Sequence, residues 1–332
     1  MSVNTRFANT RLMVAALALA FICFAATLPN APAAAQGGQK TIRLVVPFPP
    51  GGTADVIARL IAQQVGQATG QSVLVENRPG AGTIIATEIV ARSTPDGATL
   101  LVMANSFVIN PSVRASLPYD PFSFEPICLL VNSPQVLVVK ADSPYKTLAS
   151  FVTAAKARPG ELNYAAVGPA TTQHIAGEMF KRAAEINLTY VPYAGGAPAV
   201  NAILGGHVTA VLANYNEVME QINANKLRPL AVAAHERFAA LRDVQTMNEA
   251  GYKGVEATAW FGLMAPAKTP KETVALLIAQ FGAALAAPEI QSKLTAQGLY
   301  PAAACGADFD AHIKQQYESY ARVIKEANIK VE

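Results

Sequence analysis

An α/β fold of two lobes joined by crossing strands is predicted, and three observations carry it. Short β-branched, apolar runs alternate with stretches whose apolar residues recur at helical spacing. The alternation occurs twice, once before residue 105 and again between 148 and 234. Between the two lies a mostly apolar segment, 126–140, interrupted at Asn132-Ser133-Pro134, which reads as two strand segments through the middle of the molecule.

Taken in order, residues 41–48 are β-branched and apolar, a first strand. Val56, Ile57, Leu60, Ile61 and Val65 make 53–67 a helix, and Gly70 is its stop. Residues 72–76 form a second strand. Arg78-Pro79-Gly80-Ala81-Gly82 turns into a helix over 83–92, and Pro95-Asp96-Gly97 into a third strand, 99–104. Residues 107–124, rich in Pro and Ser, read as loop. After the central strands, a helix over 148–157 ends at Arg158-Pro159-Gly160. Strands at 162–167, 188–193 and 208–213 alternate with helices at 172–184, 198–204 and 216–224, and a strand at 230–234 follows. Beyond 234, a loop with Pro266 and Pro270 leads into three amphipathic helices, 271–285, 287–297 and 308–327, a closing layer. The chain is expected to divide into lobe 1, 36–137 with 232–332, and lobe 2, 138–231.

The amino terminus has its own signature. Arg6 and Arg11 precede an apolar run from 12 to about 28, closed by Ala31, Pro32, Ala33, Ala34 and Ala35. Basic, apolar and small-residue segments in that order predict a secretory signal over 1–35, cleaved after Ala35. A membrane anchor is the alternative, and Cys23 raises lipidation, although Phe21 and Ile22 are not the small residues that lipidation expects. The whole-chain charge is +3, near neutral once Arg6 and Arg11 are removed, so neither nucleic acid nor an anionic membrane is an expected partner. A monomer is expected. Cys128 and Cys305 remain after the signal. An exported chain with an even pair suggests a disulfide; two separate buried thiols are the alternative.

Three junctions share one design: a strand, small residues, then a helix start. They are Val45-Val46-Pro47-Phe48-Pro49-Pro50-Gly51-Gly52-Thr53-Ala54-Asp55, then 164–174, ending Thr171-Thr172-Gln173-His174, then Val191-Pro192-Tyr193-Ala194-Gly195-Gly196-Ala197-Pro198. A helix start leaves backbone N–H groups unpaired and carries partial positive charge, and glycines let an anion approach them. Such a site suits a carboxylate or phosphate without Arg or Lys. Thr53 and Thr172 are also ordinary caps, Asp55 favours a helix dipole and Pro198 suits a first helical position. Catalytic motifs are poorly supported. His174, His207, His235 and His312 are scattered, with no H-E-x-x-H, Cys/His metal spacing, nucleophile elbow or P-loop. His174 could act as a base, but a helix-start histidine satisfying hydrogen bonds is the simpler reading. No cofactor and no metal are expected.

The residues also carry a family resemblance. Pro47-Phe48-Pro49-Pro50-Gly51-Gly52-Thr53-Ala54-Asp55 with Ala58-Arg59 resembles the signature of the Bug family of periplasmic solute-binding proteins, the extracytoplasmic receptors of tripartite tricarboxylate transporters. Glu76-Asn77-Arg78-Pro79-Gly80-Ala81-Gly82, Pro95-Asp96-Gly97, Gln173-His174-Ile175-Ala176-Gly177-Glu178, Val191-Pro192-Tyr193, Leu204-Gly205-Gly206 and Trp260-Phe261-Gly262 follow in the family's order, as does the tail ending Ile324-Lys325-Glu326-Ala327. The resemblance implies a type II periplasmic-binding-protein fold with ligand in the cleft between lobes. It implies carboxylate recognition by loop backbone and hydroxyl groups: Phe48, Gly51, Gly52, Thr53 and Asp55 in one lobe; Gly168, Thr171, Thr172, His174, Ala194, Gly195 and Gly196 in the other; Ser106 and Asn214 at strand ends.

This chain also departs from the pattern. Thr83, Ile84 and Ile85 replace usual glycines. Ala194 stands where a basic residue is common, Gly196 where a hydroxyl is common, and Ala213 where an acid is common. The expected function is capture of a small organic mono- or dicarboxylate by lobe closure and delivery to a membrane permease. The rivals are a receptor that presents ligand to a membrane sensor kinase, and a hydrolase or transferase on the same scaffold.

Overall fold

The structure is a computed structural model that describes residues 40–327 and Ile329; the expected signal peptide lies outside the described residues. Its two lobes are α/β. The first begins with β1 (Ile42–Val46), α1 (Thr53–Thr69), β2 (Val73–Asn77), α2 (Ile84–Ala91), β3 (Thr99–Ala104) and α3 (Ser106–Val113). The chain then enters β4 (Glu125–Lys140) and the second lobe: α4 (Leu148–Ala157), β5 (Asn163–Val167), α5 (Thr172–Ala184), β6 (Thr189–Tyr193), α6 (Gly196–Leu204), β7 (Ala210–Asn214), α7 (Tyr215–Asn223) and β8 (Leu227–Ala233). It returns through β9 (Thr258–Ala265), α8 (Lys271–Ala286), α9 (Pro288–Ala296), β10 (Tyr300–Cys305) and α10 (Ala307–Ala327).

β4 holds the two sheets together. Its first part, Glu125 to Pro134, pairs antiparallel with β9, and part of it with β10. Its second part, Gln135 to Lys140, pairs antiparallel with β7 and β8. Outward from these, β3, β1 and β2 run parallel in the first sheet, and β7, β5 and β6 in the second. The strands alternate between two buried faces, as sheets covered on both sides do. In the first lobe Leu44, Val46, Leu100 and Val102 pack with Ile57, Ile61 and Phe281, while Val45, Leu101 and Met103 pack with Phe107, Trp260 and Phe309. In the second, Leu137, Val139 and Tyr164 meet Phe151 and Phe180; Val136, Val138 and Val211 meet Ala199, Ile203 and Val218.

Four elements differ from the expectation. The stretch read as loop from 107 contains α3, although Pro111 lies inside it. Phe107, Val108 and Ile109 are buried, and Asn110 Nδ2 donates to the Gly82 carbonyl at 3.0 Å, so tertiary anchoring outweighs the missing N–H. β9 is a central strand where only loop was expected, and β10 is a strand made largely of alanine and proline. The two segments read at 126–140 are one strand whose register shifts with β9. Gly70 stops α1 as read, in the left-handed region at φ 72°, its N–H on the Gly66 carbonyl. Cys128 and Cys305 are register partners in β4 and β10 and are disulfide-bonded, so the alternative of two free thiols falls.

Candidate ligand-binding cleft

The first junction is a closed turn. Gly51, at φ 82°, points its N–H to Asp55 Oδ2 at 3.0 Å. Asp55 also pairs with Arg59 at 2.9 Å and accepts from Asn77 Nδ2 at 3.0 Å; Asn77 in turn donates to the Phe48 carbonyl. Burial alone would raise the Asp55 pKa. The bonds from Arg59, Gly51 and Asn77 outweigh it and hold the carboxyl below the usual value. The side chain that could have served the ligand is instead the clasp of its own turn.

Two junctions in the second lobe face this turn. At the start of α5, the Thr171 hydroxyl lies 2.9 Å from both the Val167 and Gly168 carbonyls, and the Gly168 N–H donates to the Tyr193 carbonyl. That leaves the first-turn N–H groups of Thr172 and Gln173 without intrahelical acceptors, as at any helix start. At the start of α6, Gly195 is extended and Gly196 opens the helix. The lobes already touch here, since a Cβ built on Gly195 would lie 3.3 Å from Pro49 Cδ.

The cleft gathers nine of the expected residues: Phe48, Gly52, Thr53, Ser106, Thr171, Thr172, Gly195, Gly196 and Asn214. Ala104, Val167, Ala259 and Phe261 add apolar walls. Gly51, Asp55, Gly168, Ala194 and His174 are not part of the lining. His174 is buried with its ring stacked on Tyr190, centroids 4.4 Å apart, and burial lowers its pKa. The ring nitrogen Nδ1 has no partner among the described residues. Ser106 Oγ is likewise buried and unpartnered, but it belongs to the cleft wall.

Sequence reasoning missed Glu217. It stands in the first turn of α7, and its Oε2 accepts from the Asn214 N–H at 3.2 Å. Its Oε1 lies 2.9 Å from Thr53 Oγ1, across the cleft. That hydroxyl has one hydrogen and two acceptors at 2.9 Å, Glu217 Oε1 and Asn216 Oδ1, while it accepts from Asn214 Nδ2 at 2.7 Å. Thr53 is therefore a polar bridge between the lobes across the cleft. Among the described residues lining the cleft there is no Lys, Arg or His, and Glu217 is the one carboxylate. Burial pushes its pKa up, while the bonds from Thr53 and Asn214 pull it down, and the net is upward. Among the described residues no group of three or more His, Cys, Asp and Glu is placed to hold a metal.

Two α/β lobes on a shared strand, with helix starts from both lobes facing one cleft, define a periplasmic binding protein. The profile of the family described as "Tripartite tricarboxylate transporter family receptor" matches residues 57–329, and the chain belongs to that family. Protein BugT of Bordetella pertussis is 34% identical over 295 residues, 88% of this chain and 90% of BugT. The structure of the periplasmic binding protein BugD is 34% identical with a TM-score of 0.83, covering 87% of this chain and 98% of BugD. Rpa4515 of R. palustris, solved with adipate, is 32% identical with a TM-score of 0.84, covering 87% of this chain and 98% of that one. The family is one of solute-binding receptors, which implies a periplasmic location. The matched range begins at Ile57, so the turn at 47–55 precedes it.

Proposed function

We propose that this protein captures a small organic carboxylate in the cleft and delivers it to the permease of a tripartite tricarboxylate transporter, after export on a cleaved signal peptide. One observation carries the reading. Three helix starts, those of α1, α5 and α6, face a cleft whose lining, among the described residues, has no cationic side chain. An anion there is bound through backbone N–H groups and hydroxyls, with the helix dipoles behind them. Charge-assisted hydrogen bonds contribute about 1.5–3 kcal/mol each, and four to six reach the roughly 8 kcal/mol of a micromolar site.

Entry requires the lobes to part, since Thr53 touches Glu217 and Asn216 when they are together. Closure on the ligand then presents both lobes in the arrangement a permease reads. The division into lobe 1, 36–137 with 232–332, and lobe 2, 138–231, belongs to this proposal; the change of β4 from pairing with β9 to pairing with β7 and β8, between Pro134 and Gln135, supports it. We read the protein as a receptor and not an enzyme. His174 is stacked away from the cleft, and its substitution tests the point below.

The test is a thermal-shift screen of the protein against mono- and dicarboxylates, with calorimetry on any hit. A ligand that binds only the folded state raises the melting temperature. If no carboxylate raises it and another class of solute does, the proposal fails.

A further inference from the structure

Glu217 is placed where a ligand's carboxylate would be expected. Its Oε1 is 2.9 Å from the Thr53 hydroxyl at the start of α1. A Cβ built on Gly196, the first residue of α6, would lie 2.0 Å from Glu217 Cδ and 2.1 Å from Oε1. The carboxylate thus lies directly over the first turn of α6, and only the absence of a side chain at Gly196 admits it. Its own helix start supplies the Asn214 N–H. Three helix starts face one built-in carboxyl group. Among the described residues no Lys, Arg or His lies within ion-pair distance of it.

The remaining anion position is at α5. There Thr172 and Gln173 line the cleft together with Ser106, a residue 2% exposed whose hydroxyl has no partner among the described residues. A buried hydroxyl without a partner costs stability, and a ligand oxygen would satisfy it. One subsite is open to a carboxylate; the other already holds one.

We infer that Glu217 determines specificity: it fills one of two anion positions, so the cleft selects a ligand with one carboxylate and, at its other end, a cationic nitrogen facing Glu217, and disfavours dicarboxylates. A second ligand carboxylate would face Glu217 at short range, and like charges sharing a site cannot both stay ionised without cost. A cationic nitrogen there would form the missing ion pair in an enclosed setting. The inference rests on the carboxylate-receptor reading above.

Chain-matched pairs test it: succinate against 4-aminobutanoate, glutarate against 5-aminopentanoate, adipate against 6-aminohexanoate, each titrated calorimetrically. At the best length the amino acid should bind at least tenfold more tightly than its dicarboxylate. Glu217→Gln keeps an acceptor in the first turn of α7. It should weaken the amino acid at least tenfold and strengthen the dicarboxylate, reversing or erasing the ratio. Gly196→Ser, which forces the Glu217 side chain out of its place without removing it, should also erode the ratio. A wild type that prefers the dicarboxylate, or a ratio unmoved by Glu217→Gln, would overturn the inference and leave the receptor reading standing. Binding by neither class at any length, with another solute class bound, would overturn both.

Discussion

At the residue scale, Gly52 separates charge from shape. A Cβ built there would lie 3.7 Å from the Pro49 carbonyl and 4.0 Å from Glu217 Oε1, ordinary contact distances, and its φ of −84° suits any residue. Gly52→Asp should therefore fold normally and act through charge alone, weakening a dicarboxylate by at least about 3 kcal/mol, more than a hundredfold, while sparing a ligand that turns a cationic nitrogen toward Glu217. Thr53→Ala removes the hydroxyl that links the lobes and should cost on the order of 1 kcal/mol of affinity. His174→Ala, by contrast, should leave affinity within about threefold and lower the melting temperature, because the ring packs on Tyr190 and does not line the cleft. A pure protein that turned over a bound acid, and lost turnover but not binding in that variant, would be an enzyme. Thr53 and Asn214 were legible as residues at helix starts beside strand ends. Glu217 was not, even though Asn214 and Glu217 have the spacing of an N-cap and its third helical residue. That spacing marks a helix start; the role in the cleft depends on Thr53, far away in the sequence.

At the element scale, the entry to α1 depends on the Asp55 clasp. The folded carboxyl titrates below its ordinary value of 3.8, so its ionised form stabilises the fold. That contribution is complete above the unfolded value and is lost as pH falls through the folded one. Asp55→Asn should cost about 2 kcal/mol at pH 7, and the gap to wild type in denaturant unfolding should close on acidification below 3.8. The seating of α5 on β5 offers a steric test. A Cβ on Gly177 would lie 2.3 Å from Tyr164 Cε2, and the ring is fixed by its hydroxyl on Glu178. Gly177→Ala should destabilise by about 1–3 kcal/mol, read as a lower denaturant midpoint with unchanged slope. Most helices and parallel strands were readable because their burial period is local. β9 was hidden because a central strand buried on both faces has no alternation, and Pro266 beyond it suggested loop. β10 was hidden because alanine and proline are poor strand formers; pairing with β4 and the Cys305 bridge hold it there.

At the scale of the whole molecule, the disulfide joins positions 177 residues apart. In the chain-entropy model a loop of that length stabilises by about 5 kcal/mol. Guanidinium unfolding with and without reductant should show a clear loss of midpoint on reduction, with ligand affinity nearly unchanged because neither cysteine lines the cleft. Thiol labelling of unreduced, denatured protein should find neither Cys128 nor Cys305 free. The two-lobe division was legible from the repeated alternation. What the sequence hid was that a single strand, β4, serves both sheets, because its Asn132-Ser133-Pro134 interruption resembles a break between two strands.

β9 has an optical consequence. Ala259 and Phe261 face the cleft, so Trp260 between them faces the opposite way, edge-on to Phe309 with its indole N–H on Gln316 Oε1 at 3.1 Å. It is the chain's lone tryptophan. Its fluorescence therefore reports a cluster that Phe107 and Phe309 of the first lobe share with Ala170 and Ile175 of the second, on the side turned away from the cleft. Far-ultraviolet dichroism reports both lobes. The two signals should coincide on heating, because the lobes share β4 and cannot unfold separately without breaking it. An early loss of dichroism under constant blue emission would mean that structure away from this cluster melts first.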